Sequence, residues 1–209
     1  MRPVPSETTG RIEAFSDGVF AIAITLLIID VHVPAPKHAE TLGHELLRIW
    51  PSYLGYLTSF LTIGVMWINH HRVFTLIDRY DHTHVLLNLL MLLLIAFLPF
   101  PTAVLARFIE TNGARPAVAL YGVTMVLIAI AFFVWWRYAA MGRRLIAEHV
   151  PQDQLDAITR AYNPGTPLYL AALGIGLLEP WAGAAGFLAL AVFYALPWEQ
   201  WRARLLRVS

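Results

Sequence analysis

Residues 11–30 read Arg-Ile-Glu-Ala-Phe-Ser-Asp-Gly-Val-Phe-Ala-Ile-Ala-Ile-Thr-Leu-Leu-Ile-Ile-Asp. After Asp17 the stretch is apolar to Ile29, with Thr25 as its one hydroxyl, so it predicts a helix that buries a carboxylate near one end. An aspartate at the centre of a membrane helix costs about 2.5–3.5 kcal/mol on insertion scales, so Asp17 needs a physical reason. In one reading Ser16 and Asp17 form an N-cap pair, accepting from free backbone N–H groups at the positive end of the helix dipole. In the other they anchor an interhelical polar network, with Arg11 as one candidate partner. Arg11 and Asp17 are six residues apart and fall on different faces of a continuous helix. A pair between them requires the helix to start between them, or a contact between helices.

Beyond Asp17 the helix can be laid out at about 100° per residue. Taken from Ile22, the positions of Gly18, Thr25, Leu26 and Ile29 all fall within about 60° to either side. These five share one narrow face. Identical helices turning that face to a common axis would stack apolar rings at Ile22, Leu26 and Ile29, a constriction of the kind that gates by dewetting. The alternative is plain packing of the same face on neighbouring helices. Asp30 and His32 stand at the far end, where they would ring an outer mouth and concentrate cations, or sit there as solvated helix-end residues. A secretory signal is a poor account of this segment, because Asp17 interrupts the apolar run and five more such runs follow.

The rest of the chain explains why a membrane reading is forced. Of 209 residues, 58% are hydrophobic and only 14% charged, too apolar for an ordinary water-soluble domain. Uncharged stretches cover 49–71, 82–106, 116–136, 161–178 and 180–198, and crossing a bilayer takes about 20 helical residues. The prediction is an all-α membrane protein, one unit over 1–209 with six transmembrane helices at about 14–33, 50–74, 84–107, 116–138, 166–178 and 181–197. Pro99 and Pro101 should kink or end the third. Little chain remains for a catalytic domain, and the net charge of +1 gives no basic footprint for nucleic acid. No cysteine is present, which removes disulfides and thiolate metal sites.

Basic residues are retained on the cytoplasmic side of membranes. Arg2, Arg11, Arg72, Arg79, Arg137, Arg143, Arg144, Arg160, Arg202, Arg204 and Arg207 fall on one side; Lys37, Arg48, Arg107 and Arg115 fall on the other. Both termini are therefore expected in the cytoplasm. The long loop 142–164 mixes Glu148, Asp153 and Asp156 with apolar residues and predicts a short amphipathic helix. No internal duplication is visible, so a central pore would need several copies.

A second constellation, Trp67, Asn69, His70 and His71, closes the second span just before Arg72. The topology places it level with Arg11, Ser16 and Asp17, where indole, amide and imidazole donors could satisfy the buried carboxylate. Adjacent histidines point to different helix faces and lack companions at ligand spacing, which argues against a metal. His38, His44, His82, His84 and His149 lie in loops or at span ends and read as solvated.

The motif Arg11-x-x-x-Phe15-Ser16-Asp17-Gly18 on the first span resembles the signature of the transmembrane protein 175 family of potassium channels, of the prokaryotic single-repeat type. The 67–71 segment and Leu98-Pro99-Phe100-Pro101-Thr102 resemble stretches of bacterial members. The resemblance implies a homotetramer in a prokaryotic plasma membrane, the first helix of each copy lining a central pore that conducts potassium ions passively with modest selectivity, and no cofactor. Carried over by position, the main constriction falls on Ile22, with Thr25, Leu26 and Ile29 as further pore-lining residues. The family network maps to Arg11, Ser16, Asp17, Trp67, Asn69 and either His70 or His71. The rival reading is a secondary transporter or proton-coupled carrier, a class that usually shows inverted repeats and broken helices.

Overall fold

The computed structural model describes residues 9–33 and 42–196. Within them the chain folds as α1 (Thr9–Leu26), α2 (Leu42–Arg48), α3 (Trp50–Phe74), α4 (His82–Phe97), α5 (Pro99–Phe108), α6 (Ala114–Ala140), α7 (Gln152–Tyr162), α8 (Gly165–Leu178) and α9 (Pro180–Ala195). Short 3₁₀ turns at Leu27–Asp30 and Met141–Arg143 extend α1 and α6. Of the expected features, Arg2, Lys37, His38, Arg202, Arg204, Arg207 and the final residue of the sixth span, Pro197, lie outside the described residues.

Three stretches among the described residues are long and apolar enough to cross a membrane: Gly10–Asp30, His82–Phe108 and Ala114–Arg143. The second contains α4 and α5, one rod whose hydrogen-bond ladder is interrupted at Leu98 while the backbone there stays helical, φ −57° and ψ −33°. Pro99 and Pro101 carry no N–H and cannot donate to the preceding turn, so Leu98 N donates instead to Ile95 O at 3.1 Å and the ladder resumes with Thr102 N to Leu98 O at 3.2 Å. The third stretch is the central post. Its buried residues Val118, Tyr121, Met125, Ile128, Trp135 and Trp136 meet α4, α5, α8 and α9. The α3 helix is 25 residues long and carries the polar side chains of Ser59, Thr62, Asn69, His70, His71 and Arg72.

The α8 and α9 helices form an antiparallel pair, as the 166–178 and 181–197 stretches suggest. Between them Glu179 caps α9, its carboxylate accepting from Trp181 N at 3.4 Å, and Pro180 takes the first helical position, where its missing N–H costs nothing. The two backbones touch at Gly176 and Gly183: a Cβ on Gly183 would overlap the Gly176 Cα, and one on Gly176 would run into Val118. Only the absence of side chains there allows this approach.

At the other end of the bundle the α3–α4 and α6–α7 connections are tied together. Ile77 and Ile146 form an antiparallel bridge, with Ala147 N donating to Leu76 O at 3.0 Å. Asp81 caps α4, accepting from His84 N at 2.9 Å, and its second oxygen accepts from the Tyr138 hydroxyl at 2.7 Å and Arg144 Nε at 3.3 Å. Burial pushes the Asp81 carboxyl up, but the Tyr138, His84 and Arg144 donors outweigh it and hold the group below the usual carboxylate range. Arg143 adopts φ +55°, uncommon for a residue with a Cβ. Its guanidinium donates to Ala147 O at 3.1 Å and Val150 O at 2.7 Å. The expected amphipathic helix is α7, which seats Leu155 and Ile158 in the core and carries Tyr162, whose hydroxyl donates to Asn69 O at 3.4 Å. Burial pushes the Tyr162 phenol well above its ordinary value, so it remains a donor.

Candidate functional site: the first helix and its inner anchor

Among the described residues α1 already runs from Thr9, before the motif, rather than from residue 14. Ser16 and Asp17 therefore lie inside a helix whose turns already satisfy the backbone N–H groups, and the N-cap reading is corrected. The end turn also differs, because the α-helix gives way to 3₁₀ at Leu27.

Two stripes run along α1. Ser16, Phe20, Ala23 and Leu27 recur at helical spacing and are all 2% exposed or less; this stripe packs on α3 and α4. On the opposite side Ile22 is 61% exposed, Leu26 40% and Ile29 67%, with Phe15, Gly18 and Thr25 also exposed in whole or in part. The residues that share the narrow face in the sequence are thus those the subunit leaves uncovered. The Thr25 hydroxyl donates back to Ala21 O at 2.9 Å or Ile22 O at 3.0 Å, which leaves its oxygen lone pairs directed away from the helix. Asp30 is partly exposed at the C-terminal end of this helix, its carbonyl 2.8 Å from His32 Nδ1.

The inner anchor has three branches. Asp17 accepts from Trp67 Nε1 at 2.9 Å. Glu13, one turn earlier, meets His71 Nδ1 at 2.8 Å. The third branch is fully buried: Asn88 Nδ2 donates to Ser16 Oγ at 3.0 Å, and Asn88 Oδ1 lies 3.0 Å from His70 Nε2. Ser16 itself donates to Ile12 O at 2.9 Å. These donors and acceptors assign one direction to the chain, from His70 Nε2–H through Asn88 and Ser16 to a carbonyl of α1. Both histidines therefore reach α1, by separate routes. Asn69 contributes its carbonyl to Tyr162 and, among the described residues, its amide joins neither Ser16 nor Asp17. Arg11 makes no hydrogen bond to Asp17 either; it borders a groove with Ile12, Phe15, Tyr80, Val85, Asn88 and Leu89.

Glu13 and Asn88 are the anchor residues that the sequence reading passes over. The signal for Asn88 is a lone amide in the run Leu86-Leu87-Asn88-Leu89-Leu90, since an unpartnered amide inside a membrane helix is costly. His84 is corrected from solvated to buried. It is 0% exposed and stacks on Trp135, ring centroids 5.2 Å apart, while His70 also stacks on Trp135 at 5.0 Å. The other described histidines of that set, His44, His82 and His149, are exposed in whole or in part. Among the described residues no three His, Asp or Glu side chains converge as a metal-binding group.

Comparison with known proteins gives matches in sequence and fold along nearly the whole chain. The family described as "Endosomal/lysosomal potassium channel TMEM175" matches residues 11–99, the segment that holds α3, α4, nearly all of α1 and the whole inner anchor. A potassium channel of Chamaesiphon minutus is 47% identical over 196 residues, covering 93% of this chain and 96% of the relative. A potassium channel of Streptomyces collinus is 41% identical over 188 residues, with 89% and 91% covered. The crystal structure of a lysosomal potassium-selective channel TMEM175 homolog from Chamaesiphon minutus superposes with a TM-score of 0.83 at 46% identity, over 90% of this chain and 97% of that one. With sequence and fold agreeing over this extent, the chain belongs to the TMEM175 family.

Proposed function

We propose that this chain is a potassium-preferring cation channel, in which four copies turn the exposed stripe of α1 toward a shared axis and conduct ions passively between them. The observation that carries the reading is the two-faced α1: one apolar stripe fills its own subunit while Ile22, Leu26 and Ile29 stay uncovered. The same uncovered face also carries Gly18 and Thr25, small and polar positions suited to contact between membrane helices or to a water path more than to lipid, and a helix that presents it next to an anchored end is suited to lining an oligomeric pore. The potassium-channel names of relatives 47% and 41% identical support the same reading.

In this arrangement Ile22 forms the narrowest ring, with Leu26 and Ile29 above it and Asp30 at the outer mouth. An apolar constriction of this type closes by losing its water and opens when it widens enough to hydrate. No Thr-Val-Gly-Tyr-Gly segment occurs in the chain, so no cage of backbone carbonyls replaces the hydration shell. Discrimination falls to ring size and to the Thr25 oxygens, whose lone pairs are left free by the back-bonded proton, and it is modest. The six-span layout with both termini in the cytoplasm, the plasma membrane as setting, the single unit over 1–209 and K⁺ and lipid as partners are parts of the same proposal. The inner anchor at Ser16, Asp17, Trp67, His70, His71 and Asn88 holds each α1 in register with its own subunit.

The test is flux into liposomes that hold the pure protein, K⁺ compared with Na⁺ under matched gradients, with particle mass measured in parallel. Faster K⁺ than Na⁺ entry through a four-copy particle is the expected result. Saturable uptake of an organic substrate coupled to an ion gradient, without uncoupled K⁺ flux, would replace the channel by a carrier.

A further inference from the structure

The break between α4 and α5 divides the support of α1. The α4 helix packs on α1 and reaches Ser16 through Asn88, whereas α5 packs on the Leu27–Asp30 turn at the outer end. A buried hydroxyl chain crosses three helices to reach this break. Thr102 Oγ1 donates to Leu98 O at 2.9 Å, so its oxygen accepts from Ser59 Oγ at 2.8 Å, and Ser59 in turn accepts from Tyr121 Oη at 3.2 Å. The chain therefore runs one way, from α6 through α3 to the carbonyl at the proline break. Ser59 is 0% exposed, Tyr121 2% and Thr102 5%. Beside it lies a half-open pocket of about 30 Å³ where α3, α5, α6 and α9 meet, lined by Gly55, Thr58, Leu105, Ala106, Tyr121 and Phe187 among others.

We propose that Tyr121, Ser59 and Thr102 are positioning residues for conduction: their hydroxyl chain holds α5 in its resting position about the Leu98 break, and opening requires α5 to swing there and carry the Leu27–Asp30 turn with it. The inference rests on the channel reading above. Pro99 and Pro101 remove two ladder bonds at this point while Leu98 keeps a helical backbone, which makes it the weakest place in the rod to bend, and the segment beyond it packs on the Leu27–Asp30 turn of the proposed pore. The chain sets the free energy of that swing, since one net hydrogen bond changes a two-state population by about fivefold.

The chain contains no cysteine, and this makes a direct test clean. A Cβ on Gly55 lies 3.5 Å from the Ala106 Cβ, within disulfide range, so Gly55→Cys with Ala106→Cys clamps α5 to α3. K⁺ flux into liposomes should fall about tenfold, the factor given by ~1.4 kcal/mol of added restraint, when this pair is oxidised, and should return on reduction of the same sample. Tyr121→Phe and Thr102→Val, which remove the chain but keep the volume, should raise flux by about fivefold, while Thr102→Ser restores the hydroxyl and reverses the effect. Equal flux from the oxidised and reduced pair overturns the proposal, as does a cross-link that fails to form or a chain variant that moves flux in the same direction as the clamp. Absence of K⁺ flux from the unsubstituted protein sinks instead the channel reading on which the proposal depends.

Discussion

Removing the Asn88 amide would leave the buried His70 Nε2–H without an acceptor and the Ser16 oxygen lone pair without a donor, while Ser16 keeps its own bond to Ile12 O. Each unsatisfied buried group costs about 1–3 kcal/mol, so Asn88→Ala should destabilise the protein by about 2–4 kcal/mol, measurable as a lowered unfolding midpoint in detergent. Ile22 calls for the opposite kind of experiment, because its side chain is exposed and its loss disturbs no core. Ile22→Asn should raise basal K⁺ flux by about tenfold, the effect of ~1.4 kcal/mol taken from a dewetting barrier, and flatten the preference over Na⁺ in reversal potentials. At this scale the sequence is legible where chemistry is costly: Asp17, Ser16 and Trp67 announce themselves by being polar in an apolar run. His84 misleads because its position near a helix end suggests water. Yet His84, Asn88, Met91, Leu92 and Ile95 form one buried stripe at the spacing of a single helix face, and that spacing is present in the sequence itself.

Helices as units are easier to read than their ends. The proline break in the third span and the amphipathic α7 follow from residue types alone, since Pro cannot donate and a charged face must meet water. The extension of α1 back to Thr9 does not follow, because Gly10 and the charged Arg11 and Glu13 interrupt the apolar run and make the stretch before Ala14 read as a boundary. The contact between α8 and α9 is visible in the sequence only as two apolar runs around Glu179-Pro180; that Gly176 and Gly183 meet backbone to backbone depends on the crossing point, which no periodicity encodes. Small residues at a crossing let membrane helices approach closely and gain packing. Gly183→Val, which sets a branched side chain against the Gly176 Cα, should force the pair apart at a cost of about 1–3 kcal/mol. Thermal unfolding followed by Trp fluorescence would register it, with Trp181 stacked on Trp50 at 5.2 Å as the nearby reporter.

For the molecule as a whole, the tie between the α3–α4 and α6–α7 connections makes stability depend on pH through Asp81. Its carboxyl is held below the ordinary value by Tyr138, His84 and Arg144 against the pull of burial, so it binds protons less readily folded than unfolded. The resulting stability is complete above about pH 4, the unfolded carboxylate value, and is lost as pH falls through the lower folded value. Asp81→Asn should therefore lower the unfolding midpoint at neutral pH, and the gap from the parent should close in acid; a gap that persists unchanged below pH 3, about a unit under the free carboxylate, would remove Asp81 from this role. Assembly is the level least legible in the chain. Both stripes of α1 are apolar, and no periodicity distinguishes the stripe that fills the subunit from the stripe it leaves uncovered.

The shortness of the α8 and α9 pair has a further result on the six-span reading. At about 1.5 Å per residue their 14 and 16 residues reach roughly 21 and 24 Å, while the 27 residues of α6 reach roughly 40 Å. The perimeter of the protein is then uneven in height, low along one edge and tall beside it. Lipids at the low edge must compress or tilt to cover it, at a cost that grows with acyl-chain length. Membrane thickness thereby becomes a force acting sideways on the subunit, felt first where the paired helices lean on the central post.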